Sequence, residues 1–500
     1  MPTTHHESPV RPNGRPGPRP RGGPRPGRPQ LSKAARALRR LWATTPARLK
    51  LLRAAVLLLL AALTALLGTA GLAALGAWDS TAGRDAPRTI SAARLNLALN
   101  DMDAQVANLL LANGDAGAGR LRVPYDKAVE GYDASRHTIS TALRTLSVAA
   151  QHDRAAARTV ETLTEDFVRY QERVGRALEN DGRKGGKAAA VEDYRTATDL
   201  LDRRLLPQAR ALVAANDTAY ERHYDAARSR LTGELLAAVT LGALLLAVLA
   251  GLQWYLARRF RRVLNPGLAA ATLCALTGLA LGCQLLASSS QELRVARRDA
   301  FDSVVALSRA HATVYDANAD ESRYLLMKER RDRYQRSFFT KSQKLYGIAG
   351  TTLSDYDARL DETWGAYRSD RKDLRFTGEF RRELDNITFP GERAAAEAAV
   401  RAYAVYQRDD RTIRRLIGQG RERAAVDFCI SWQDGTSNSH FLALDRALKR
   451  VTGINQAHFD RAADDGRNLV SGPPAGAGGA FAAAALCAVL GLRPRLAEFR

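Results

Sequence analysis

Seven side chains in this 500-residue sequence have the types and positions to do chemistry. Asp101 and Asp103 form one polar group, and Asp316, Asn318 and Asp320 form another. Carboxylates and amides so grouped could hold an amino-group ligand between helices; a solvated helix face accounts for the same pattern. His223 and His458 head two matching trios, His223-Tyr224-Asp225 and His458-Phe459-Asp460. An imidazole titrates near neutral pH, so either could respond to pH or contact a partner, or simply hydrogen-bond a neighbouring acid. No catalytic constellation accompanies them: the sequence has no Walker-type phosphate loop, HExxH, CxxC or nucleophile elbow. The four cysteines, Cys274, Cys283, Cys429 and Cys487, are never closer than nine residues and suit neither a disulfide framework nor a zinc site. The chain therefore reads as no enzyme, with no metal and no cofactor.

A second set of side chains is defined by charge. Lys and Arg number 75 against 53 Asp and Glu, a net charge of +22, which suggests nucleic acid or a membrane surface. Its distribution decides between them. Residues 1–49 form a Pro, Arg and Gly tract with little to bury, a disordered basic arm that closes on Arg36, Arg39 and Arg40. A second cluster, Arg258, Arg259, Arg261 and Arg262, lies in a short turn at 257–266.

Four apolar runs position these clusters. Residues 54–77 hold no charge and, at about 1.5 Å per residue, outspan a hydrocarbon core of about 30 Å. This is read as an uncleaved membrane helix; a signal peptide cut at the ALGA of 74–77 is the alternative. Further spans are read at 235–256, 267–288 and 470–492, the last rich in small residues that suit close helix packing. With the arm, the turn and the tail 493–500 in the cytoplasm, +18 of the +22 faces inward, as the positive-inside rule requires. The expected fold is thus all-α, an integral protein of a bacterial plasma membrane with both termini inside. Nucleic-acid binding falls away, and the arm is left to bind anionic lipid or an acidic face of a cytosolic protein.

The two outward segments, 78–234 and 289–469, are nearly neutral and rich in helix formers. Tyr194, Thr198, Leu201, Leu205 and Leu212 make an apolar stripe at helical spacing that runs on toward the second span. Breakers near 113–124, 151–153 and 180–187 divide the first segment into four helices; the second has matching breakers near 347–354, 389–392 and 418–421. An internal repeat supports the division: Ala189, Ala190 and Val191 align with Ala424, Ala425 and Val426, and Asp101 and Asp103 with Asp316 and Asn318. The chain reads as two tandem four-helix bundles, each flanked by membrane helices. No ionisable group stands in the core of a span, which argues against a transporter.

Two membrane helices flanking an outer four-helix bundle resemble the sensory half of bacterial chemoreceptors, here with a pseudo-dimer in one chain. More specifically, the layout resembles the actinobacterial four-helix membrane proteins of an amino-acid-sensing system. The resemblance rests on architecture after residue 50 and on no residue motif. It implies a signal relay between an extracytoplasmic glutamine-binding-type lipoprotein and a cytosolic Ser/Thr protein kinase, protein kinase G. The competing readings are a structural scaffold for envelope or secretion machinery and a sensor that binds its small ligand directly.

Overall fold

The structure is a computed structural model that describes residues 45–113, 122–151, 153–260, 265–471 and 475–497. The described residues are 89% helical and contain no strand, only an antiparallel bridge between Gly347 and Thr377. Most of the basic arm, with Arg36, Arg39 and Arg40, lies outside the described residues, as do Arg261, Arg262 and the side chain of Arg259.

The first half consists of α1 (Thr45–Ser80), α2 (Ala86–Ala112), α3 (Arg122–Ala149), α4 (Arg154–Asp181), α5 (Lys187–Leu200) and α6 (Leu206–Phe260). Helices α7 (Pro266–Arg294), α8 (Asp302–Leu326), α9 (Arg331–Leu345), α10 (Tyr356–Ser369) and α11 (Glu379–Asp385) open the second. It closes with α12 (Glu392–Gly418), α13 (Glu422–Ile430), α14 (Ser437–Ser471) and α15 (Ala475–Ala497). Short α10, α11 and α13 make the second outer domain more elaborate than a plain four-helix arrangement.

Three junctions are π-helical rather than broken. Thr81–Asp85 joins α1 to α2, Leu201–Leu205 joins α5 to α6, and Val295–Phe301 joins α7 to α8. The first two each stand just before a proline, Pro87 and Pro207. Proline has no N–H and crowds the carbonyl four residues back, and a widened turn relieves both conflicts without ending the helix. The third has no proline within it and carries Arg297 instead, only 4% exposed.

Four helices are long and apolar enough to cross a membrane, within Ala47–Ala112, Lys187–Arg258, Pro266–Leu326 and Gly476–Pro494. Their apolar parts pack as a ring: α1 on α6, α6 on α7, α7 on α15 and α15 back on α1. Helices α7 and α15 meet backbone to backbone at a pair of glycines. A Cβ built on Gly267 would lie 2.5 Å from the Gly491 Cα, and Asn265, which caps α7 by accepting from the Gly267 N–H at 3.0 Å, donates through Nδ2 to the Gly491 carbonyl at 2.8 Å. Gly491→Val should therefore lower the thermal stability of the detergent-purified chain, by about 1–3 kcal/mol of overpacking. Gly478→Val on the same helix, where no atom lies within 4 Å of the added Cβ, serves as the control.

Outside the ring, α2 and α8 lie side by side, each also packed on helices of its own half. The first outer core gathers Leu99, Phe167, Tyr170 and Tyr194; the second gathers Tyr346, Trp364, Tyr403 and Tyr406.

Candidate functional site

Where α2 meets α8, the interface is polar and buried. Arg323 of α8 is 1% exposed. Its Nε donates to Asp103 Oδ2 of α2 at 3.1 Å, and its Nη1 donates to Asp320 at 2.7 Å. Asp103 also accepts from the Tyr170 hydroxyl at 2.9 Å and from the Tyr194 hydroxyl at 2.9 Å. Both phenols are held well above their ordinary pKa, first by burial and then by Asp103, so they remain donors. One guanidinium and two phenols thus satisfy a fully buried carboxylate, which is the condition for a buried charge to be tolerated. Nearby, Ser322 donates to Asn108 at 2.8 Å.

Next along α8, Asp316 takes Arg210 of α6 at 2.9 Å and Lys341 of α9 at 2.6 Å. Burial alone would raise the Asp316 pKa, but Lys341 and Arg323 outweigh it and hold the carboxyl below its usual range. Lys341 also donates to Asp320. Asp103, Asp316 and Asp320 are therefore drawn into one cluster, in which the positions an amino-group ligand would take are filled by the chain's own Arg323 and Lys341. Asp101 stands apart, accepting from Ser135 at 2.6 Å and Gln105 at 2.9 Å. Asn318 is buried beside Tyr406.

The two histidines occupy different surroundings. His223 is half-exposed and its Nδ1 lies 2.7 Å from Asp85 in the first π-helical junction. His458 stacks on Phe389 with ring centroids 3.8 Å apart; partial burial, then Arg461, lowers its pKa. Of the basic turn, Arg258 lies over the Trp254 ring at 4.7 Å.

A ladder of ion pairs continues from the cluster toward the membrane between α6 and the α7–α8 strut. Asp217 takes Arg309 and Arg297, each at 3.0 Å, and Arg297 also reaches Glu221 at 2.8 Å. Arg297 further packs over Tyr220 at 4.8 Å.

Sequence reasoning missed this ladder together with Arg323, Lys341 and several buried acids. Burial pushes Asp410 up to about 7 and Glu321 well above its usual range. Glu383 is pushed up to about 8 by burial and by Glu392 beside it. No local pattern marked them, since the charged stretch Asp320-Glu321-Ser322-Arg323 reads as a solvated helix face and is buried throughout in the structure. Among the described residues no group of three His, Cys, Asp or Glu is placed to hold a metal ion.

No curated protein and no solved structure shows significant similarity to the chain. Residues 77–225, which run from the end of the first apolar stretch through the first outer domain to the trio at His223, match the actinobacterial sensor domain family. That match fits a sensor-type protein, and the four long apolar helices fit a protein of the membrane.

Proposed function

We propose that this chain is a sensor of the bacterial plasma membrane, with both termini in the cytoplasm, that relays an extracytoplasmic signal to a cytosolic partner. The observation that carries the reading is helix continuity. Three of the four apolar helices run from the membrane-like ring into an outer domain with no interruption other than a π-helical turn. A rigid helix transmits a small shift or rotation along its axis, and a packed interface responds in discrete steps rather than by continuous deformation.

The outer domains are read as a tandem duplication. The π-helical segments Thr81–Asp85 and Val295–Phe301 support this, because the offset of 215 that aligns Asp101 with Asp316 also places the first within the second. The same offset makes Asn318 and Asn108 the counterparts of Asp103 and Arg323. One side of the pseudo-symmetric seam thus carries an ion pair where the other carries amides, which gives a duplicated sensor two unequal faces for a single partner.

In this reading an amino-acid-binding lipoprotein docks on the membrane-distal ends outside, and a cytosolic Ser/Thr kinase reads the inner face, aided by anionic lipid at the basic arm. Docking shifts the seam only if it favours one arrangement over the other. Affinity capture on the tagged full chain from native membranes, with and without added amino acids, should recover a solute-binding lipoprotein. Recovery of none under either condition would leave the relay without its input.

A further inference from the structure

A cavity of about 690 Å³ opens beside the Asp316 cluster, between α6, α8 and α9. Five cations line it, Arg210, Arg309, Lys341, Lys344 and Arg382, against two acids, Asp316 and Glu379. The carboxylates that serve these cations from behind the wall are shared. Asp320 divides itself between Lys341 and Arg323, and Asp217 between Arg309 and Arg297. Lys344 makes no ion pair with a described residue. The neighbouring cavity of about 570 Å³ shares Arg309 and Arg382 but adds Asp217, Asp302 and Asp385. Arg382 pairs with Glu379 at 2.9 Å. The lining of the first cavity thus holds more cations than acids, and that of the second more acids than cations.

We propose that the first cavity binds a small polyvalent anion, a carboxylate or a phosphate, held between Arg210 of α6 and Arg309, Lys341 and Lys344 of α8 and α9. Guanidinium and ammonium groups converging from three helices match an acceptor with oxygens on more than one side. Lipid phosphate is excluded as the occupant by height. Arg309 stands 21 residues beyond Ser288, which at 1.5 Å per residue is about 30 Å past the apolar stretch.

Position gives the site its consequence. Helix α6 continues into the second apolar stretch and α8 follows from the third. An anion that takes Arg210 away from Asp316 and Arg309 away from Asp217 replaces two direct ion pairs with one bridging ligand. It thereby resets the spacing of α6 and α8 at the head of the ladder below. This site is independent of lipoprotein docking, so loss of either reading leaves the other standing.

The test is titration of the full chain in zwitterionic-lipid nanodiscs at constant ionic strength with succinate, citrate and inorganic phosphate, against chloride and betaine. Calorimetry and thermal shift should show saturable binding of at least one polyvalent anion and none of the controls. Carboxylate alone, phosphate alone or both each sustain the site and fix its chemistry. Lys344→Ala alters an exposed side chain, so the fold should survive, and it should weaken binding by about tenfold, as loss of one charged hydrogen bond does. Arg210→Gln should do the same from the opposite wall. Absence of saturable binding for all three anions, or binding unchanged in both Lys344→Ala and Arg210→Gln, would overturn the proposal.

Discussion

Arg323→Met should cost the chain about 3–5 kcal/mol of stability, the range for removing one partner of a buried ion pair. Methionine fills much of the volume, so the loss is electrostatic. Asp103, fully buried, would keep only the Tyr170 and Tyr194 hydroxyls, at 2.9 Å each, against a charge that three donor groups now hold. Asp320 would retain Lys341 and so suffer less. Denaturant unfolding in detergent, followed by circular dichroism, measures the change. The double variant Asp103→Asn with Arg323→Met should be less destabilised than the sum of the single variants, because the second change removes the charge that the first leaves stranded. An Arg323→Met variant within about 0.5 kcal/mol of the parent, the range of ordinary surface substitutions, would mean that water reaches this seam. Since Arg323 joins helices of the two halves, the same variant should loosen the outer domains from each other before either unfolds.

The apolar helices were legible in the sequence because a hydrocarbon core leaves so few choices: a continuous run of Ala and Leu that lacks charge reads as a spanning helix whatever its neighbours. The stripe from Tyr194 to Leu212 was legible for a similar reason, since its period survives both the π-helical turn and Pro207. Asp103, Asp316 and Asp320 could be picked out as a polar group, yet their cations could not. Arg323 and Asp103 stand 220 residues apart, and no local spacing encodes a contact between helices of different halves. The π-helical junctions were equally hidden at the level of pattern, because a widened turn leaves hydropathy unchanged and only Pro87 and Pro207 hint at it. Short helices α10, α11 and α13 escaped because each is held by tertiary packing rather than by an apolar period of its own. The arm and the basic turn carry most of the net charge, but Arg258 alone among their candidate arginines has a described side chain.

Glu383→Gln should stabilise the chain at pH 8 and give no gain near pH 4.5. Glu383 is 1% exposed, and its oxygens have no hydrogen-bond partner among the described residues. Three helices supply its neighbours: Ser303 of α8, Glu392 of α12 and Asn455 of α14, with His458 also facing Glu392. Glu392 is the anchored partner of the two: its Oε2 accepts from the Thr388 and Phe389 N–H groups at 2.7 and 2.9 Å. The Glu383 carboxyl has its pKa pushed up to about 8 by burial and by Glu392. In the unfolded chain a glutamate titrates near 4.3, so between that value and 8 the folded state binds the extra proton and stability falls as pH rises, by about 1.4 kcal/mol per unit. Below that window both states are protonated and the contribution is complete; above it the contribution is gone. Glutamine keeps the shape and cannot ionise, so the difference between variant and parent should grow to roughly 4 kcal/mol by pH 8. Asp410 and Glu321 slope the same way in both proteins, and comparison of the two cancels them. Unfolding at pH 4.5, 6.5 and 8 decides the matter: a difference that does not change with pH would mean Glu383 is not the titrating group. Asn386, at the end of α11, donates to the Arg298 and Asp299 carbonyls at 3.3 Å and to Ser303 at 2.9 Å. Ionisation of Glu383 that loosens α11 should therefore also loosen its hold on the π-helical junction between α7 and α8.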